Sequence, residues 1–395
     1  MPQNSTQSAT NQLAGKRLAV FLDGTWNTQD DNTNVWRLKL MCAPQGTDGL
    51  PQLAYYDPGV GTHWYDRLTG GAFGQGLDCN IRDAYQWLME HYEDDDEVYV
   101  FGFSRGAYTA RSLTGMIAKC GLLRPESPMP VVQVYERYSR GEAALPIYQL
   151  DYNERHKIGT LSLEEQWLLR HSRRIPIKFV GVWDTVGALG VPVGNIPGVS
   201  KRRLGFHFTR LSKLFQQVFQ ALAVDEQRAA YSPTLWTKFT PKEPDPKVTL
   251  PHHDDSPDQI VEQRWFSGAH ADVGGGYRND PVSQIPLAWI QSKAVAAGLD
   301  FRRTVVLDGS EFRAPIHDSY SEFLRGAYRV WRALTLRGRY YRQIGAPRVE
   351  KREGWVETVN ETVDDSVLAR WRADHGYRPR NVLEWAQQHG VRLDQ

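Results

Sequence analysis

Apolar residues gather along this chain in short runs that break at polar or glycine-rich turns. Arg17 to Leu22 (RLAVFL) is the first run. It ends at Asp23-Gly24-Thr25-Trp26-Asn27 and reads as a buried strand followed by a loop. Residues 33–42 predict a short helix, and Leu53 to Tyr56 a second strand that ends at Asp57-Pro58-Gly59-Val60-Gly61. A loop carrying Gly70, Gly71, Gly74 and Gly76 leads into a helix at about 77–93, where Leu77, Ile81, Tyr85, Leu88 and Tyr92 recur at helical spacing. A strand at Val98 to Phe103 runs into a helix that reaches about Cys120. Ile175 to Val182 is the next strong strand and stops at Trp183-Asp184-Thr185; Arg264 to Ser267 is a last short one, closing in Gly268-Ala269-His270. Strands that alternate with helices predict an α/β fold, a mostly parallel sheet with helices on both faces.

Two long stretches interrupt this alternation. Residues 123–172 begin rich in proline and become charged and partly helical. Residues 191–261 contain Leu211, Leu214, Phe215, Val218, Phe219 and Leu222 at i, i+3, i+4, i+7 spacing, which predicts an amphipathic helix, packed on the core or serving as a lid. Both stretches read as helical insertions in one domain over 16–390. Residues 1–15 are polar, lack an apolar segment and read as a disordered lead, not a Sec signal. The Arg- and aromatic-rich tail, with RGRYYR at 337–342, reads as a solvated helical face or as a phosphate or head-group patch.

Composition narrows the class without choosing a function. With 47 basic and 46 acidic residues the chain carries +1, so no global field steers it toward nucleic acid. Cys42, Cys79 and Cys120 are odd in number and widely spaced, which fits neither a disulfide framework nor a metal site and points to a reducing, cytoplasmic compartment. No stretch approaches the ~18 apolar residues that span a membrane, so contact with lipid would be peripheral.

The chemistry lies in Gly102-Phe103-Ser104-Arg105-Gly106, placed between a strand and a helix. That Gly-x-Ser-x-Gly order builds a nucleophile elbow, a turn too sharp for a Cβ two residues either side of the serine. A nucleophilic serine needs a base, an acid to orient it, and donors for the oxyanion. Two later strand ends supply the first two: Asp184 as acid and His270 as base, in the chain order of an α/β-hydrolase. Asp272, which would share a face with His270 in an extended segment, is the rival acid. The backbone N–H of Arg105 is one expected oxyanion donor and that of Gly24 or Thr25 the other, with the Gly59-Val60-Gly61 loop as runner-up. Asp23 is expected to organise this loop without entering the chemistry.

His252 and His253 beside Asp254 and Asp255 read as a solvated loop, so no metal and no cofactor is expected. A haloacid-dehalogenase-type phosphotransferase would need an aspartate where Phe21 stands. A P-loop is missing altogether.

Five motifs together, Leu22 to Asn27, Gly59 to Thr62, Gly102 to Ala107, Val182 to Gly187 and Gly268 to Tyr277, resemble those of the DUF2235 α/β-hydrolase family. That family includes the catalytic domains of Tle1-like type VI secretion lipase effectors. Weaker agreement continues at Asp225-Glu226-Gln227-Arg228 and Tyr377-Arg378-Pro379-Arg380-Asn381. The resemblance implies a Ser-Asp-His hydrolase of lipid esters, phospholipase A in type, with a phospholipid or other acyl ester as substrate. It also implies Sec-independent export and a secretion-machinery or immunity protein as partner. A cytosolic carboxylesterase or thioesterase is the competing enzymatic reading. An inert lipid- or protein-binding module on the same fold is the non-enzymatic one.

Overall fold

The structure is a computed structural model. It describes residues 15–24, 31–59, 72–187, 211–242, 259–322, 338–345, 347–351 and 354–394. The expected N-terminal lead and the His252–His253 loop lie outside these residues.

Among the described residues a seven-stranded sheet forms the centre. Its strands are β1 (Arg17–Leu22), β2 (Gln52–Asp57), β3 (Glu97–Phe103), β4 (Ile177–Trp183), β5 (Phe215–Ala223), β6 (Ile260–Phe266) and β7 (Glu361–Val363). They lie in the order β2-β1-β3-β4-β5-β6-β7, and every pairing is parallel. The strand order reverses at β1, which sits between β2 and β3. In open parallel sheets the crevice beyond the carboxyl ends at such a reversal is where ligands bind.

Parallel sheets are covered on both faces, so their strands must be apolar at consecutive positions. Leu18, Val20, Leu22, Val98, Val100, Val180, Val182 and Val218 pack to one face against α2 (Ala72–His91) and α3 (Arg105–Cys120). The 123–172 stretch adds three helices to this face, α4 (Val131–Ser139), α5 (Ile147–Arg155) and α6 (Leu163–His171).

The alternate residues meet α1 (Asn34–Met41) and α8 (Gln284–Ala296) on the opposite face; α7 is the short helix His270–Gly274. Here Phe21, Phe101, Phe179 and Phe219 form a row across four strands, with successive ring centroids 4.9, 5.3 and 5.3 Å apart. Gly181 makes the row fit, since a Cβ there would come within 2.6 Å of the Phe179 ring. A third cluster joins Leu222, Val224 and Trp265 to α9 (Asp365–Ala373) and α10 (Arg380–His389).

The segment expected to be an amphipathic helix is β5, the fifth strand of the sheet. Val218 faces one core cluster and Phe219 the other, the alternation of a strand. A strand buried on both faces is apolar at nearly every position, so a helical period can be read onto it by accident. Residues 191–261 are therefore not a single helical insertion. The helical reading of the tail does not hold for residues 338–342, which are coil, and Arg342 is fully buried.

Candidate active site

The site begins with a strained turn. Ser104 joins β3 directly to α3 with φ 58° and ψ −120°, a conformation non-glycine residues rarely adopt. The flanking glycines allow it. A Cβ at Gly102 would lie 2.5 Å from the Gly106 carbonyl oxygen, and one at Gly106 would lie 2.2 Å from the Leu22 oxygen and 2.4 Å from the Asp23 oxygen. The Ser104 N–H donates to the Trp183 carbonyl at 3.0 Å, which fixes the elbow to β4.

His270 opens α7, just beyond β6. Its Nε2 is 2.7 Å from Ser104 Oγ and its Nδ1 2.5 Å from Asp184 Oδ2. The imidazole is held between the Phe103 ring, 4.7 Å away, and the edge-on Tyr231 ring, 5.0 Å away. Burial pushes the His270 pKa below its ordinary value, and the attraction of Asp184 only partly opposes this. The resting ring is thus neutral at pH 7. A carboxylate on Nδ1 selects the tautomer whose bare Nε2 accepts from the serine hydroxyl.

Asp184 follows β4 and is completely buried. Burial alone would raise its pKa, but Arg342 and His270 outweigh that effect and hold the carboxyl well below the usual carboxylate range. Its Oδ1 accepts from the Ala223 N–H at 3.0 Å and Arg342 Nη1 at 2.6 Å; its Oδ2 accepts from Arg342 Nη2 at 2.9 Å. Asp272 faces elsewhere. It accepts the Ala269 N–H at 2.8 Å and sits 2.6 Å from Nδ1 of His317, whose ring stacks on Tyr277.

The oxyanion side differs from expectation. The Gly24 N–H donates to Asp23 Oδ1 at 2.7 Å and so is occupied in this conformation. The cause is the buried Asp23 carboxylate, which also accepts from the Thr33 hydroxyl at 2.5 Å and the Tyr56 hydroxyl at 3.0 Å. Thr25 and Val60-Gly61 lie outside the described residues. Arg105 is the first residue of α3, where the helix dipole favours negative charge.

The DEQR segment braces the base from below. Asp225 Oδ2 accepts the Gly268 N–H at 2.7 Å and the Tyr377 hydroxyl at 2.9 Å, and burial pushes its carboxyl up to about 6. Glu226 is paired with Arg228 at 2.7 Å and takes the His270 N–H at 3.3 Å. The Asn381 side chain donates to the Val224 carbonyl at 2.9 Å, so the two weaker sequence motifs meet behind the histidine. Sequence reading missed Arg342 and Glu226. Glu226 had a signal, since β5 ends beside it as β4 ends beside Asp184; Arg342 had none, lying 158 residues from Asp184. Among the described residues no group of three or more His, Cys, Asp or Glu side chains could hold a metal ion.

The sheet order and the strand–elbow–helix turn define an α/β-hydrolase fold. The chain belongs to the family of type VI secretion phospholipase effector Tle1-like catalytic domains, whose model matches residues 16–293. An uncharacterized protein of Saccharomyces cerevisiae is 29% identical over 248 residues, which is 59% of this chain and 34% of the yeast protein. Among solved structures, an uncharacterized protein from Pseudomonas aeruginosa aligns at 15% identity and TM-score 0.40, covering 81% of this chain and 51% of that one. The Tle1 effector bound to the VgrG spike of the type VI secretion system aligns at 18% identity and TM-score 0.36, covering 67% and 51%. A butyrate-bound esterase from Thermogutta terrifontis aligns at 12% identity and TM-score 0.32, covering 72% and 84%. The chain thus spans a third of the yeast relative and half of the first two structures.

Proposed function

We propose that this chain is a serine hydrolase of carboxylic esters, phospholipase A in type. The observation that carries this reading is the unbroken contact series from Ser104 Oγ through His270 to Asp184 at 2.7 and 2.5 Å. In this mechanism Ser104 Oγ attacks the acyl carbonyl while its proton passes to His270 Nε2. The tetrahedral oxyanion is held by the Arg105 N–H at the head of α3 and by a second donor from the 24–25 turn. Use of the Gly24 N–H would require it to leave Asp23. Collapse expels the lysolipid alkoxide, which takes the proton from His270. Water then attacks the acyl-enzyme with His270 again as base, releasing a fatty acid and the free serine.

Family membership supports a glycerophospholipid as substrate and type VI delivery as the route, with a secretion-machinery or immunity protein as partner. Among the described residues no helix is long and apolar enough to cross a membrane, and in this reading the enzyme meets lipid peripherally. The test is a fluorophosphonate label with the modified residue mapped by mass, beside product analysis on phospholipid vesicles and on short-chain soluble esters. Labelling of Ser104, its loss in Ser104→Ala, and release of fatty acid from vesicles are expected. No labelling at Ser104 would leave the inert-module reading standing. Hydrolysis of soluble esters alone would replace the phospholipase reading by a carboxylesterase.

A further inference from the structure

The buried acid of the site has a cationic partner that comes from outside the span of the family model. Arg342 is fully buried, and its two terminal nitrogens reach both oxygens of Asp184, at 2.6 and 2.9 Å. The same fork donates to the Ala223 carbonyl at 2.9 Å and the Tyr231 carbonyl at 2.5 Å. One side chain therefore ties together the acid, the end of β5 and the turn whose Tyr231 ring packs edge-on against His270.

We propose that Arg342 is a positioning residue for hydrolysis, fixing the Asp184 carboxylate toward His270 and cancelling its charge so that the resting histidine stays unprotonated. This rests on the serine hydrolase reading.

Charge supports this role. The ionic groups acting on His270 are Asp184 after β4 and Glu226 and Arg228 beyond β5; Arg342 acts on both carboxylates. Asp184 pairs with Arg342, and Glu226 with Arg228 at 2.7 Å. Each carboxylate that acts on the imidazole is thus matched by a guanidinium. Without Arg342 the pocket would hold one uncompensated carboxylate against the imidazole, and the ring would keep a proton to higher pH.

Geometry supports it as well. Asp184 is held at φ 40°, in the left-handed region, and its Oδ2 is shared between His270 and the guanidinium. Two parallel N–H donors fix the plane of the carboxylate as well as its charge. A lysine ammonium supplies the charge without the fork.

The experiment compares full-length Arg342→Gln and Arg342→Lys with the wild type. Turnover of a soluble p-nitrophenyl ester is followed from pH 5 to 9. In parallel, the His270 ring is titrated by NMR in a Ser104→Ala background, a reading that needs no catalysis. Arg342→Gln is expected to lower kcat by about 10–100-fold, the range seen when outer-shell partners of a site are removed, with KM little changed. Its acid limb and the His270 titration should both move to higher pH. Arg342→Lys should keep the wild-type acid limb and recover part of the lost kcat. A folded Arg342→Gln with wild-type kcat and an unmoved His270 titration overturns the proposal. If Arg342→Gln does not fold, Arg342→Lys decides: full kcat refutes the role of the fork, and reduced kcat with an unmoved acid limb supports it. If the wild type neither hydrolyses esters nor labels at Ser104, the hydrolase reading itself fails; the NMR titration still reports whether Arg342 sets the protonation of His270.

Discussion

Replacing Gly106 with alanine should do far more damage than the same change one helical face away at Gly115. Both glycines lie in α3, and in each case alanine gains about 1 kcal/mol of helix propensity. At Gly115 the new methyl would meet the Tyr138 hydroxyl at 3.1 Å, the far end of a side chain, and a shift of a few tenths of an ångström suffices. At Gly106 it would lie 2.2 and 2.4 Å from two carbonyl oxygens at the end of β1. These oxygens cannot yield, because β1 is paired on both edges, with β2 and with β3. Ordinary contact then requires α3 to retreat by about 1 Å, and overpacking of this kind costs about 1–3 kcal/mol. After the helix gain is subtracted, Gly106→Ala should be destabilised by up to about 2 kcal/mol, while Gly115→Ala should be neutral or stabilised by less than about 1 kcal/mol. Urea unfolding followed by tryptophan fluorescence measures both. Since Ser104 rides on the first turn of α3, the retreat also takes its hydroxyl off line, and a displacement of about 1 Å costs roughly 100-fold in turnover. Gly106→Ala with wild-type stability and turnover would refute the idea that the elbow is seated against the end of β1.

Asp184→Asn should lower kcat by up to about 10⁴-fold, through loss of the correct histidine tautomer, while Asp272→Asn should cost far less; steady-state kinetics on a soluble ester decides between them. Because burial places the His270 pKa below its ordinary value, kcat/KM should stay flat down to about pH 6.5 and fall only below it, as the base takes up a proton. The same burial makes the unfolded state the first to bind that proton, so stability from this residue erodes as pH falls through about 6.5, which thermal melts over pH 5–8 will read. Asp225 acts in the opposite sense: burial lifts its folded pKa to about 6, above the ordinary 3.8, so its charged form is penalised above pH 6 and the penalty fades on acidification. Asp225→Asn should therefore raise the melting temperature more at pH 8 than at pH 5, and an equal effect at both would contradict the assignment.

Much of this architecture was legible in the chain because strands that end at a polar turn announce both their own position and the residue they present. RLAVFL matches β1 residue for residue, and the predicted elements before the elbow differ from the observed ones mainly at their ends. The same logic reached Ser104, Asp184 and His270, which the fold brings together at the carboxyl edge of the sheet. It failed where burial on both faces erases alternation, as in FQQVFQALA, and that error also hid Glu226 at the end of β5. Arg342 was illegible for another reason. Its surroundings are coil, and its partner is set by how distant segments converge, which no local period encodes. That the Gly24 N–H donates to the neighbouring Asp23 carboxylate in this conformation was also not legible, since it follows from the burial of Asp23.

The place of Arg342 in the chain has a consequence for timing. A ribosome delivers Ser104, Asp184 and His270 before Arg342, which lies 158 residues after Asp184. A nascent chain that folded its sheet through β6 would leave the Asp184 carboxylate without the two Arg342 donors it has in the finished fold. On the proposed mechanism, docking of the segment around Arg342 completes the site, so a chain truncated before it is expected to carry Ser104, Asp184 and His270 and yet hydrolyse esters poorly.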